Sequence, residues 1–456
     1  MKKITFVLSL LWVLGQDAVA QYAWNNMGLG TNLAVYTLEA DTANKILYLG
    51  GTFTQAGGAP SVGIAKWNGV SYSPVGLGIV AGTGVYSTLI QGTDLIAGGT
   101  FTNIGGVSCK NIAKWNGSSW SPLGAGLDSL TGLTVIKSLA VYQNELYAGG
   151  IFSNSGGTQI SNIAKWNGTS WQPVGTGING VVAALCVYKN ELYAGGNFTT
   201  AGGVPVKNIA RWDNTNWHNV NGGVNYTGAI SICALQVYSG QLYAGGTFDT
   251  AGVIHVNNIA RWDSTNWSNV GGGAINYTGA ISICAFTNYS GGIVTGGSFD
   301  TLGAIPANFI GSWNNTNWST FSTGMNNTVY ALETMGDTLY AGGVFTTAGG
   351  ITSAFVSQWK PGGVMHINSE YLQKAIKVYP NPSCNAVYFV LGNELKTKGD
   401  INIMLLDALG REVSKAEHVK GACTMERKNI SAGLYFYRIT GEDNSVLQEG
   451  KIIFTD

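Results

Sequence analysis

Seven Gly-Gly pairs limit what this chain can fold into more than any other feature. They begin at Gly50, Gly98, Gly149, Gly195, Gly245, Gly296 and Gly342, an interval of 46 to 51 residues. A tryptophan follows each pair, at Trp67, Trp115, Trp166, Trp212, Trp262, Trp313 and Trp359. About five residues later comes a second aromatic, at Tyr72, Trp120, Trp171, Trp217, Trp267 and Trp318. Trp359 has no such follower. The missing aromatic stands near the other end of the sequence, in Trp24-Asn25-Asn26-Met27-Gly28. A period of this length marks propellers and other repeat arrays. A strand missing from the last repeat and orphaned before the first predicts a closed ring; a parallel solenoid has no use for the orphan.

One repeat, residues 179–221, reads as four strands. Val181 to Tyr188 alternates, Lys189-Asn190-Glu191 turns, and Leu192 to Gly196 forms a second strand. That strand ends at glycines where bulk or ordinary φ would be excluded. A loop through Phe198, Ala201, Gly202 and Gly203 leads to a third strand, Asn208 to Trp212, and a short turn to a fourth, Trp217 to Val220. Other repeats place Asn116-Gly117 or Asn167-Gly168 at that last turn. Asn-Gly signals a tight hairpin because both central residues need φ > 0. Four antiparallel strands per repeat are what a propeller blade requires. The expected fold is all-β: a seven-bladed β-propeller over residues 21–359 with four-stranded blades, the N-terminal strand closing the last blade. The tryptophan columns read as packing between blades, at roughly 150–250 Å² of buried area each. A carbohydrate-stacking surface is the alternative, but a ligand surface breaks a repeat and these columns keep it.

Leu242-Tyr243-Ala244-Gly245-Gly246 with Trp262 and Trp267 resembles a kelch-type propeller repeat. The form with residues 111–117 before Ser119-Trp120 is similar to the extracellular propeller repeats of fungal cortical polarity proteins. This resemblance covers residues 22–359. It implies a fold and not an activity, since such propellers serve enzymes, scaffolds and binding proteins alike.

The first 20 residues read as an export signal: Lys2 and Lys3, an apolar run from Ile4 to Leu14, then Ala18-Val19-Ala20, with cleavage between Ala20 and Gln21. The run is too short to span a bilayer, and no other stretch approaches about 18 apolar residues, so no transmembrane span is expected. Charged residues are 11% with a formal net charge of zero, which gives no footprint for nucleic acid. Of the charged residues, 20 fall in the last 81 positions. That break predicts a linker over 360–375, opening with Lys360-Pro361-Gly362-Gly363, and a C-terminal domain over 376–456. Its short alternating segments suggest a small β-sandwich.

This domain resembles the type A C-terminal sorting domain of the type IX secretion system of Bacteroidota. The matching residues are Tyr379-Pro380-Asn381-Pro382, then Asp407 to Val413 with Gly410 and Arg411, then Ile430 to Tyr435 with Gly433, Leu434 and Tyr435. The terminal Gly450-Lys451-Ile452 completes the set. The resemblance implies an address read by an outer-membrane translocon and a route through the periplasm to the outer cell surface or the medium. In that family the segment is commonly removed, and the cargo is released or joined to surface polysaccharide.

The ring offers little to chemistry. Its two histidines, His218 and His255, read as surface substitutions, and no catalytic residue, metal or cofactor is expected. Asp249 and Asp300 stand where other repeats carry Thr or Ser, which fits a loop hydrogen-bonding position. Cys186, Cys233 and Cys284 read as one repeat position with three small buried side chains. Cys384 and Cys423 could pair, and Cys109 has no evident partner. The repeats diverge in the connections between them: Asn225-Tyr226-Thr227-Gly228, Asn276-Tyr277-Thr278-Gly279, and Asp128 to Gly132. In propellers these connections share a face with the loops after the second strands. Asn225, Tyr226, Asn276, Tyr277 and Asp128 are therefore the candidate contacts for a glycan or protein ligand. The rival readings are a polysaccharide-active lyase, hydrolase or oxidase, and a structural surface-layer component. Carboxylates or histidines clustered in those loops would favour the enzyme, and the loops carry no such cluster.

Overall fold

Alternating apolar residues and glycine-rich turns resolve each repeat into the same antiparallel sheet. In sheet four the strands are Val181–Tyr188, Glu191–Asn197, Ile209–Trp212 and Trp217–Asn219, hydrogen-bonded in that order. The computed structural model describes residues 22–130, 132–225, 231–276, 281–361, 376–391, 401–407, 411–428, 430–441 and 446–455, and every element among them is a strand. Seven sheets there share this plan; sheet two carries one extra short strand, Val107–Ser108. None closes on itself as a barrel.

Sheet seven takes its outer strand from the start of the chain. Strand β1 (Tyr22–Asn26) pairs antiparallel with Val356–Pro361 and sets Trp24 opposite Trp359. The Gly-Gly pairs show which sheet lies against which. A Cβ on Gly149 would strike Val182 of the next sheet; Gly195 meets Ile232, Gly245 meets Ile283 and Gly296 meets Val329. Gly342 of sheet seven meets Val35 of sheet one, so the succession returns to its start. The arrangement is propeller-like.

The second glycine of each pair serves the sheet's own first strand. Opposite every pair that strand carries a β-bulge, skipping Tyr36, Tyr86, Lys137, Ala183, Cys233, Cys284 or Tyr330. A bulge holds one residue more than its partner strand and kinks the chain. It turns a carbonyl inward, and a Cβ on Gly150 or Gly196 would fall on the carbonyl oxygen of Val135 or Val181. No pair has φ in the left-handed region, so glycine is required there for space alone.

Three recurrent hydrogen bonds cross the seams between sheets. The second-column indoles donate to the preceding linker: Trp120 to Val75 O, Trp171 to Leu123 O, Trp217 to Val174 O and Trp267 to Val220 O, at 3.0–3.1 Å. Trp24 does the same to Phe321 O at 3.0 Å. At the other end of the sheets the tyrosine closing the first strand of sheets three to six donates to the next sheet's turn, as in Tyr188 to Gly240 O and Tyr289 to Asp337 O, both 3.0 Å. Third, Asn111, Asn162, Asn208 and Asn258 adopt left-handed φ of 61–65°. Their side-chain nitrogens donate to Leu127, Ile178, Val224 and Ala274, and their oxygens accept the amides of Phe101, Phe152, Phe198 and Phe248. Each such buried bond contributes about 1 kcal/mol, and losing one partner costs more than that.

Two expectations need correction. The Asn-Gly turns are not two-residue hairpins. Trp115 pairs with Trp120 across four residues, and the Asn116 carboxamide oxygen accepts the amides of Ser118 and Ser119, so only Gly117 needs positive φ (95°). Nor do the three cysteines share a position. Cys233 and Cys284 are bulge residues, whereas Cys186 faces Tyr193 across the sheet, the place held by Gln236 and Thr287 in the following sheets.

The chain divides at residues 362/363 into two units. In the second, Ile376–Tyr379, Ala386–Leu391 and Ala422–Glu426 form one sheet. Glu412–Val419, Ile401–Leu406, Gly433–Thr440 and Val446–Phe454 form the other. Val387 and Phe389 from the first sheet join Ile403, Leu405, Ile439 and Ile452 from the other in one core. Cys384 and Cys423 form no disulfide with each other: Cys423 faces Phe389, and Cys384 lies beside Arg427.

Candidate functional site

The bulges place their skipped residues around one cavity. It measures about 280 Å³ and is lined by residues 36–38, 86–88, 137–139, 183–185, 233–235, 284–286 and 330–332, three from the first strand of every sheet. The bulge position holds tyrosine in three sheets, cysteine in two, and alanine or lysine in the others. Tyr36 sits between Tyr86 and Tyr330 with ring centroids 5.2 and 5.1 Å away. Burial raises the Tyr36 and Tyr330 hydroxyls above the ordinary tyrosine value, with neighbouring tyrosines adding to it. Lys137 is exposed. Ala183, Cys233 and Cys284 make the opposite wall small, and burial pushes the Cys284 thiol up to about 12.

Farther along the first strands of sheets one and seven lie Glu39 and Glu333, at equivalent positions opposite Tyr48 and Tyr340. Glu39 accepts the Ile90 amide at 2.9 Å and Glu333 accepts the Thr334 amide at 2.8 Å. Burial raises the Glu39 carboxyl to about 8; the Ile90 bond opposes the rise and the Glu333 charge adds to it. Burial likewise raises Glu333 to about 7. Both groups hold a proton more tightly folded than unfolded. Their contribution to stability is therefore complete below about pH 4.5 and is lost as pH rises through 7 to 8. Glu39→Gln keeps an acceptor for Ile90 and removes that loss. The variant is expected to match the parent in urea unfolding at pH 4 and to exceed it by about 2 kcal/mol at pH 9, after discounting for water reaching this half-buried group. An equal difference at both pH values would contradict this assignment. The pair lies on strands rather than in the loops, and the packing of sheet seven on sheet one, not sequence spacing, brings it together.

The linkers meet the loops after the second strands in every sheet, through backbone bridges such as Thr31 with Ala56, Ile178 with Ala201, Val224 with Ala251 and Ala274 with Leu302. Both sets therefore share a face. Asn225 lies in one such bridge and its carbonyl accepts the Asp249 amide at 3.1 Å. Asn276 follows the equivalent strand, Ala274–Ile275. Tyr226 and Tyr277 lie outside the described residues. Asp128 anchors its own linker, accepting from Lys110 and from the Asn154 carboxamide while its backbone pairs with Asn154. Asp249 and Asp300 accept the hydroxyls of Thr250 and Thr301, the local role expected of them. His218 contacts Asp213 at 2.7 Å, and His255 sits in the short strand Ile254–His255.

In the second unit the first and last motifs meet. The Asn381 carboxamide donates to Lys451 O at 2.7 Å and accepts the Ile453 amide at 2.9 Å. Tyr379 stacks on Tyr388, both half-exposed. Arg411 pairs with Asp407, and the Tyr435 hydroxyl donates to Ser431 O while its ring meets Phe454. Leu434 is exposed, Gly433 and Gly450 belong to the last two strands, and Gly410 lies outside the described residues. Residues 377–454 match the family described as secretion system C-terminal sorting domain. This segment is a type IX sorting tail. It directs the chain to the cell surface or out of the cell, and its partner is the secretion system. No helix among the described residues is long and apolar enough to cross a membrane. No curated protein matches the chain. Among solved structures, the extracellular domain assigned to a one component system of B. thetaiotaomicron is 12% identical with a TM-score of 0.45. The match covers 96% of this chain and 58% of that one. A GH74 enzyme of Niastella koreensis is 10% identical with a TM-score of 0.41, over 95% of this chain and 75% of that one. Activity does not transfer at these similarities.

Proposed function

We propose that residues 21–359 form a seven-bladed β-propeller of kelch-like repeats, an exported non-catalytic module that binds a glycan or protein ligand. A signal peptide ending at Ala20 starts its export, and residues 360–375 link it to the sorting domain over 376–456. The observation that carries this reading is the collar: seven equivalent bulge positions line one cavity and set three tyrosines and a lysine against a wall of alanine and cysteine. Asn225, Tyr226, Asn276 and Tyr277 extend the binding face along the linkers.

The test is a binding screen of the mature full-length chain against polysaccharides and matrix proteins, repeated with Tyr226→Ala/Tyr277→Ala and with Tyr36→Ala. A ligand whose affinity falls about tenfold, or 1.4 kcal/mol, in at least one variant is expected. Binding unchanged in both, or none at all, sinks the proposal. The enzymatic reading draws on the Glu39 and Glu333 carboxyls, which burial raises to about 8 and about 7. Cleavage of a polysaccharide by the parent, abolished in Glu39→Gln, would establish it instead.

A further inference from the structure

We infer that the collar is an end-on well for an anionic pyranose at the terminus of a glycan chain. This rests on the binding reading above and adds the place and the chemistry. Strands of all seven sheets surround the cavity, so a sugar chain enters by its end rather than lying across the walls. Pockets for whole small ligands run to about 300–1,000 Å³. At about 280 Å³, this one suits a single ring.

The walls differ in kind. Tyr36, with Tyr86 and Tyr330 on either side, offers flat apolar faces with polar rims, which match the C–H face and hydroxyls of a pyranose. Ala183 and the two bulge cysteines leave room opposite. Lys137 is the one charged residue among the seven collar positions, and no ion pair to it is present among the described residues. An ammonium in that setting calls for a carboxylate or sulfate on the sugar.

Calorimetry of the mature full-length chain decides the matter, using galacturonic and glucuronic acid, their neutral hexoses, galactose sulfates, and oligogalacturonates of increasing length. The uronate and sulfate arms distinguish the two sources of charge. The expected result is binding of an acidic sugar about tenfold tighter than its neutral counterpart. Affinity should level off beyond the first units of the chain. Lys137→Gln should remove the preference for acid while neutral binding stays, and Ala183→Phe should block both. Affinity that climbs with each added unit, or an unchanged acid preference in Lys137→Gln, overturns the inference. If Ala183→Phe does not fold, the exposed Lys137 still decides. Glycans that bind only through Tyr226 and Tyr277 would end this inference and leave the binding reading standing; a chain that binds nothing in the wider screen ends both.

Discussion

Without residues 376–456 the protein is expected to accumulate in the periplasm, with almost none on the cell surface or in the medium. The sorting tail is the exported address, and its motifs form one structure rather than separate signals. Asn381 holds the first motif to the backbone of Lys451 and Ile453, while Val446–Phe454 pairs along Gly433–Thr440. Removing Gly450 to Asp456 alone takes away both partners of Asn381 and five of the eight paired positions of that ladder, so the short truncation should fail as fully as the long one. Immunoblots of periplasmic, surface and medium fractions measure this. Normal export of either truncation would contradict the role given to the tail.

The second large effect concerns β1. Deleting Tyr22–Asn26 strips sheet seven of its outer strand and of Trp24, which is 5% exposed and bonded through its indole to Phe321 O. Truncating a buried tryptophan to alanine costs about 3–5 kcal/mol. Deletion of the strand adds the loss of the ladder to Val356–Pro361 and bares that edge to other chains. Against a typical stability of about 5–15 kcal/mol, unfolding should begin at much lower urea and the deleted chain should self-associate. Trp24→Ala isolates the side chain and should lose about 3–5 kcal/mol without the association. A deleted chain that unfolds like the parent would show that β1 is an appendage.

Much of this architecture could be read from the repeat. The period located the strands, the orphan Trp24 identified the partner of Trp359, and the Tyr379 and Gly450 motifs identified the tail. The remainder depended on how neighbouring sheets register against one another, which a one-dimensional period does not contain. Cys186 looked equivalent to Cys233 because both follow a short apolar run; only pairing to the Gly-Gly strand shows them three positions out of step. The Asn before Ile-Ala in four repeats was visible, but its role appears when its carboxamide spans a loop and a linker. Glu39 and Glu333 lie far apart in sequence and come together because sheet seven packs on sheet one. The collar was missed for the same reason. A Gly-Gly pair announces a close approach, yet it does not say that the facing strand bulges or which side chain the bulge turns into the cavity.

Closure of the ring can be tested directly by introducing Asn25→Cys and Gln358→Cys, which face each other across the seam between the first strand and the last. Oxidation followed by non-reducing peptide mapping of the monomer should recover residues 25 and 358 in one cross-linked peptide from a single chain. Recovery of the two only as separate peptides, or joined solely between different chains, would contradict closure.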